Sequence, residues 1–197
     1  MVGLQVTVVR EPMALQFCNL TPYLSRVAIG LGATVSLCGF SVAWAADPAD
    51  LQTLLETGTC IECDLRNADL RHLDLSGTVM RGANLEGANF FRANLTGADL
   101  ARANLRGTNF GMATMENIVV NLADMSHSNL LRANLNRASL IGTILANAYL
   151  EDTRLTEALL TEADLRQAKI ASADFRGADI CGAYFSYGDY RIDCPAP

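Results

Sequence analysis

The chain has 197 residues and a mass of 21.2 kDa, with 15 basic against 21 acidic side chains, a net charge of −6 and a pI of about 4.8. That length fits one domain, and the acidic balance argues against a nucleic-acid binder, which shows a basic patch and a high pI. Half of the residues are apolar but only 7% are aromatic, so the interior must be small and aliphatic; 15 Gly with 5 Pro exclude a collagen-like or Pro-rich chain, and 18% charged residues are too few for a coiled coil.

Residues 1–45 differ from the rest of the chain. Val27 to Ala43 is an uncharged apolar run, preceded by Arg26 and followed by Ala43-Trp44-Ala45. A basic residue, an apolar core and an A-x-A site are the marks of a secretory signal peptide, here with cleavage after Ala45. Met13 would start a leader of more usual length, so residues 1–12 read as a mis-called start. No twin arginine is present, which favours the general export route. The alternative is an uncleaved anchor, since about 18 apolar residues can span a bilayer. Cleavage removes Arg10, Glu11 and Arg26 and takes the net charge from −6 to −7. The remaining residues hold no second apolar stretch of membrane length, so the mature chain is expected to need no membrane.

Residues 46–62 read as a capping helix and linker. Asp47 is an N-cap, Pro48 takes the first helical position, Leu51, Leu54 and Leu55 share a face, and Gly58 ends the helix. This amphipathic helix is expected to lie over the first layer of the fold built by residues 63 onward.

A five-residue period organises residues 63–187. Every residue whose number is a multiple of five, from Leu65 to Phe185, is large and apolar, which makes 25 consecutive units without insertion or deletion. Two residues before each stands a small residue, usually Ala, and between the two, in most units, an Asn or Asp, as in Ala83-Asn84-Leu85. A helix would scatter these positions around its cylinder. An extended backbone puts residues i and i−2 on one face and i−1 on the other. Each unit is therefore one short side with Ala and Leu inward and Asn or Asp outward. The glycines at positions 77, 82, 87, 97, 107, 142, 177 and 182 all fall at the last position of the unit, where a turn uses their freedom at positive φ. Four sides close a 20-residue square coil, right-handed by the usual chirality of parallel connections.

The tandem A(D/N)LxG units closely resemble the pentapeptide repeat proteins. That resemblance implies an all-β fold, a right-handed quadrilateral β-helix, over residues 63 to 187. Just over six coils at the spacing of neighbouring strands give a rod about 30 Å tall. A helix and a Cys-x-x-Cys ahead of the repeats look like exported cyanobacterial members, which implies the periplasm or the thylakoid lumen as the compartment.

Departures from the pattern can be tested by stacking in steps of 20. Ile118 fills a slot expected to hold Ala; its own centre is the smaller Val120, and the coils below and above offer Ala98 and Ala138. The extra volume is thus offset locally, as close packing requires. Leu73 breaks the same rule in the first coil, where space is open.

Both ends of such a stack need covers. At the C-terminal end Tyr184, Phe185, Tyr187 and Tyr190 are expected to cover the last coil, with residues 188–197 as cap and tail. Beyond the leader stand four cysteines, at 60, 63, 181 and 194, in pairs at the two ends. An even number in an exported chain reads as disulfides, here Cys181 with Cys194 and Cys60 with Cys63. The alternative for the latter is a thioredoxin-like redox pair, which lacks its β-α-β context.

No catalytic, cofactor-binding or metal-binding set emerges. His72 and His127 are turn residues almost three coils apart, and no phosphate loop or HExxH motif occurs. The outward Asn and Asp read as backbone-bonding turn residues. What is left is surface. One group of outward apolar residues is the column Val79, Val119 and Leu159, interrupted by Asp99, Ser139 and Asp179; the other is Phe91, Leu131, Ile141, Ile144 and Tyr149, at outward or turn positions. Exposed apolar patches mark partner surfaces. Arg66, Arg106 and Arg166 with Glu86 read instead as a solvated charge ladder. The leading function is a non-enzymatic exported structural module that presents a patterned surface to a protein partner, without nucleic acid, cofactor or metal. Two rivals are a DNA mimic acting on a type II topoisomerase, by competing for charge, and a redox protein using Cys60 and Cys63.

Overall fold

The structure is a computed structural model that describes residues 46–186. The expected leader, together with Tyr187, Tyr190 and Cys194, lies outside the described residues.

Helix α1 spans Pro48–Thr57. The Asp47 carboxylate accepts from the Ala49 N–H at 2.8 Å, Pro48 opens the first turn, and Gly58 closes the helix at φ 69° with its N–H donating to the Leu54 carbonyl at 2.9 Å. Leu54 is buried and Leu51 half-buried against the first coil, whereas Leu55 is 55% exposed, so the apolar face is narrower than the sequence predicts. Asp64 docks the helix. Its carbonyl accepts from the Asp47 N–H and its N–H donates to Asp50 Oδ2, both at 2.8 Å. The lower edge of the first coil is thereby satisfied on that side, which an open strand edge requires.

From Thr59↔Val79 upward, every bridge pairs residue i in parallel with i+20, and a bridge occurs every five residues. The coil therefore has 20 residues and four sides. Each side contributes one bridging residue per coil, so only Asp164–Leu165 (β1) and Tyr184–Phe185 (β2) extend to two-residue strands. The bonds are regular: the Leu105 N–H donates to the Asp124 carbonyl at 2.7 Å, and the Asn104 N–H to the Ala83 carbonyl at 3.0 Å. We call the four bridging columns A (residues 64 to 184 in steps of 20), B (69 to 169), C (74 to 174) and D (59 to 179).

The apolar centres from Leu65 to Leu165 and their small partners fill one continuous interior. Phe90 and Phe110, one coil apart, stack with ring centroids 5.0 Å apart and planes 7° from parallel. Ile118 and Val120 are fully buried, as are Ala98 and Ala138. Leu73 is half-buried against the core.

The corner position, residues 62 to 182 in steps of five, is left-handed at all 25 sites, at φ between 55° and 69°. Only eight of these are glycine, so the other side chains carry a cost of about 1–2 kcal/mol each. None is β-branched, the class for which the conformation is most strained. The repeat holds them there by backbone bonds on both sides, as at Leu122, whose N–H donates to the Ile141 carbonyl at 2.9 Å while the next N–H, of Ala123, returns to the Val120 carbonyl at 3.1 Å. Glycine has a second reason at position 142, where a Cβ would lie 2.8 Å from Leu122 Cδ2.

At the C-terminal end of the described residues Phe175, Ile180 and Phe185 are partly exposed, and Ile170 is 36% exposed. Tyr184 does not cover them. It occupies the outward position of column A above Asp164 and is 53% exposed, because the i−1 position of every unit points away from the core. Among the described residues no helix is long and apolar enough to cross a membrane.

Candidate interaction surface

The outward positions serve the backbone first. In all 15 units where the outward residue is Asn or Asp, its Oδ1 accepts from the backbone N–H two residues on; examples are Asn109 to Gly111 at 3.1 Å and Asp124 to Ser126 at 2.9 Å. These Asx turns hold each corner. Where the acceptor is missing, the coil below can supply it. Asn121 Oδ1 accepts from the Ile141 N–H at 2.9 Å in place of Ser139, and Asn136 Oδ1 accepts from the Thr156 N–H at 3.1 Å in place of Arg154. On column B the amides also stack, Asn129 donating to Asn109 at 3.2 Å and Asn109 to Asn89 at 3.1 Å.

Most charge is spent internally. Arg66, Arg71, Arg166 and Arg176 each grip the aspartate two residues earlier, and Arg81, Arg106, Arg132 and Arg137 reach a carboxylate in the next coil. The Arg176 guanidinium holds the Asp174 carboxyl down to about 2, and Arg166 likewise lowers Asp164. At Asp99 burial pushes the carboxyl up, but the bonds from Arg81 and the Ala101 N–H outweigh it and the net shift is downward. Exposed pairs of this kind add little to stability; their main effect is to cancel charge. The expected ladder of Arg66, Arg106 and Arg166 is thus broken into separate pairs with Asp64, Asp124 and Asp164.

The apolar candidates separate into three places. Val79, Val119 and Leu159 share column D but stand two coils apart, divided by Asp99, which pairs with Arg81, and by Ser139, whose hydroxyl donates to Asn121 Oδ1 at 2.7 Å. Ile141 lies on the corner between columns D and A, with Ile144 beside it on column A; they are 38% and 42% exposed. Phe91 and Leu131 lie on the corner between columns B and C, and Tyr149 on column B adjoins them. Leu131 and Tyr149, with Asn129 and Glu151, line a surface cavity of about 300 Å³. Two members of these edges escaped the sequence reading: Met112, 37% exposed on the B–C edge, and Leu122, 58% exposed on the D–A edge. A signal existed, because between residues 62 and 182 they are the only large apolar residues at a position otherwise held by Gly or polar side chains.

Cys60 and Cys63 form a disulfide with Cα atoms 5.5 Å apart. Both are buried, and Cys60 Sγ lies 3.3 Å from the Asp50 carbonyl oxygen of α1. With Asp50 they make the cluster of potential metal ligands among the described residues, but their sulfurs are committed to each other, whereas a metal needs thiolates. Cys181 is also disulfide-bonded; its expected partner, Cys194, lies outside the described residues. His72 and His127 are both exposed at left-handed corners, and His72 meets Phe91 edge to face at 6.0 Å between ring centroids.

The pattern described as Pentapeptide repeats matches in eight copies, over residues 60–97, 83–119, 121–156 and 148–186. No match is found among curated proteins. Similar solved structures include a pentapeptide repeat protein, Rfr23, from the cyanobacterium Cyanothece 51142, with 21% identity, a TM-score of 0.39 and coverage of 70% of this chain and 97% of that one. QnrB1, a plasmid-mediated fluoroquinolone resistance protein, shows 20% identity and a TM-score of 0.39 over 66% of this chain and 70% of its own. A pentapeptide repeat protein of the Arabidopsis thaliana thylakoid lumen shows 30% identity and a TM-score of 0.18 over 55% of this chain and 70% of its own. With an unbroken beat of 25 units, one 20-residue register throughout and a family match spanning residues 60–186, the chain belongs to the pentapeptide repeat family.

Proposed function

We propose that this chain is an exported, non-enzymatic docking module: a right-handed quadrilateral β-helix whose corners present apolar side chains to a protein partner in the periplasm or thylakoid lumen. The observation that carries the reading is where the apolar surface stands. The outward and corner positions are held by Asx turns and ion pairs, yet Leu122, Leu131, Ile141, Ile144 and Tyr149 stand exposed among them, between 38% and 58%. Large exposed side chains on a backbone this regular are a pre-ordered surface, which lowers the entropy lost on binding. The leader pattern of residues 1–45 and the disulfides support an oxidising compartment.

The DNA-mimic reading requires a continuous acidic stripe. Eight carboxylates are instead neutralised by arginines, which speaks against it. The redox reading requires an accessible sulfur, and Cys60 and Cys63 are 2% and 9% exposed. The test is photo-crosslinking of the exported protein in its native compartment from a probe placed at residue 131 or 141. A specific adduct from either, absent when the probe replaces Glu86, supports the reading. Equal labelling from all three positions overturns it.

A further inference from the structure

The two apolar edges differ in charge, and the difference points to a partner for one of them. Among the described residues Arg92, Arg102, Arg154 and Lys169 form no salt bridge, while eight other arginines do. Three of those four flank the B–C edge. Arg92 lies over the Phe91 ring at 5.3 Å and Lys169 over the Tyr149 ring at 4.3 Å. Each cation is thus held in place by an aromatic face, and its charge is left free for a ligand. Phe91 itself can lie along the edge because Gly111, in the coil above, has no side chain: a Cβ there would sit 3.2 Å from Phe91 Cδ2.

We infer that the B–C edge, from Phe91 and Arg92 through Met112 and Leu131 to Tyr149 and Lys169, binds an extended acidic segment of a partner protein. This rests on the docking-module reading and names its site and its partner's chemistry. The cations span four coil steps, about 19 Å at the spacing of neighbouring strands, which matches about six extended residues. Glu151 sets the register. It lies on the rim of the 300 Å³ cavity with Leu131 and Tyr149, so that cavity takes an apolar side chain and the partner's carboxylates fall at the two ends, on Arg92 below and on Lys169 and Arg154 above. Arg132, in the middle, is already engaged by Asp152 at 3.4 Å. Aromatic and arginine side chains around a slot are the composition of an interface hot spot. The D–A edge carries Leu122, Ile141 and Ile144 without a comparable pair of ring-held cations.

The experiment uses the exported full chain and a dye-labelled eight-residue peptide that alternates Asp or Glu with Leu or Phe, read by fluorescence anisotropy. Saturable binding is expected, at least tenfold weaker for the double variant R92E/K169E and weaker at 300 mM than at 50 mM salt, as screening of free charges requires. Leu131→Ser is expected to weaken it separately by emptying the slot. Circular dichroism melts of each variant must match the parent, which the substitutions allow because none of the three side chains is in the core. Equal affinity for a Lys-for-Asp/Glu version of the peptide, or an unchanged affinity in R92E/K169E, overturns the inference. So does tighter binding of a double-stranded DNA oligomer. If no peptide binds while the probe at residue 141 still crosslinks specifically, the docking module stands and the B–C edge assignment falls.

Discussion

The amide ladder on column B allows one energy to be worked from geometry. Asn109 is half-buried and makes three side-chain hydrogen bonds: it accepts from the Gly111 N–H at 3.1 Å and from Asn129 Nδ2 at 3.2 Å, and it donates to Asn89 Oδ1 at 3.1 Å. Asn109→Ala removes all three, and each neutral hydrogen bond contributes about 1 kcal/mol net. The expected loss is about 2–3 kcal/mol, a fall in melting temperature of roughly 6–12 °C for a structure of this size. Urea denaturation followed by circular dichroism measures it. Asn109→Asp is the informative control. A carboxylate still accepts from Gly111 and Asn129, but it turns a second oxygen toward Asn89 Oδ1, which is occupied as the acceptor for the Phe91 N–H. This variant therefore keeps the two accepted bonds and loses the donated one, so it should be about 1 kcal/mol less stable than the parent at pH 7. A loss under 0.5 kcal/mol in Asn109→Ala, or an Asp variant as stable as the parent, would refute the view that amide stacking carries energy here.

The core and the charges yield three more expected outcomes. Ile118→Ala empties three carbons from a fully buried slot between Ala98 and Ala138 and should cost about 2–4 kcal/mol. Adding Val120→Leu, which restores the common Ala and Leu pair, should recover part of that loss, whereas Val120→Leu alone should destabilise by about 1–3 kcal/mol; additive effects in the double-mutant cycle would show that the two volumes are not coupled. Ser128 fills an inward Ala position and its hydroxyl is buried without a partner, unlike Thr108, whose hydroxyl donates to the Leu105 carbonyl at 2.7 Å. Ser128→Ala should therefore stabilise by about 1 kcal/mol, and a lower melting temperature would contradict it. Asp64, Asp69, Asp99, Asp124, Asp164 and Asp174, each paired with an arginine, titrate below their ordinary value of 3.8 when folded, Asp174 at about 2. A depressed folded pKa means that the unfolded chain binds more protons, so this stability is complete above about pH 4 and is lost as pH falls from 3.8 toward 2. Melts at pH 7 and pH 5 should coincide, with the decline confined below pH 4; a decline beginning near pH 6 would point to other groups.

How much of this was legible in the chain alone varies with the range of the interaction. The five-residue beat determined the extended sides, the inward and outward assignment of the units and the 20-residue stacking, and Asp47, Pro48 and Gly58 determined the helix Pro48–Thr57, because each depends on local alternation, a cap or a breaker. The left-handed corner was visible only where glycine stands; at Leu122 or Arg92 the repeat imposes a conformation the residue itself does not favour. Tertiary structure alone decided which surface residues meet. The division of the Val79, Val119 and Leu159 column by Asp99 and Ser139 follows from the 20-residue step and is legible in the sequence, whereas the pairing of Asp99 with Arg81 is not. Phe91 finds Arg92 and Gly111, Tyr149 finds Lys169, and Asp50 of α1 finds Asp64 across the first coil. The reason is physical: a side chain's position along a periodic backbone is a local property, whereas its partner is chosen by reach and rotamer across coils, 20 residues away, where periodicity gives the neighbour's place but not its contact.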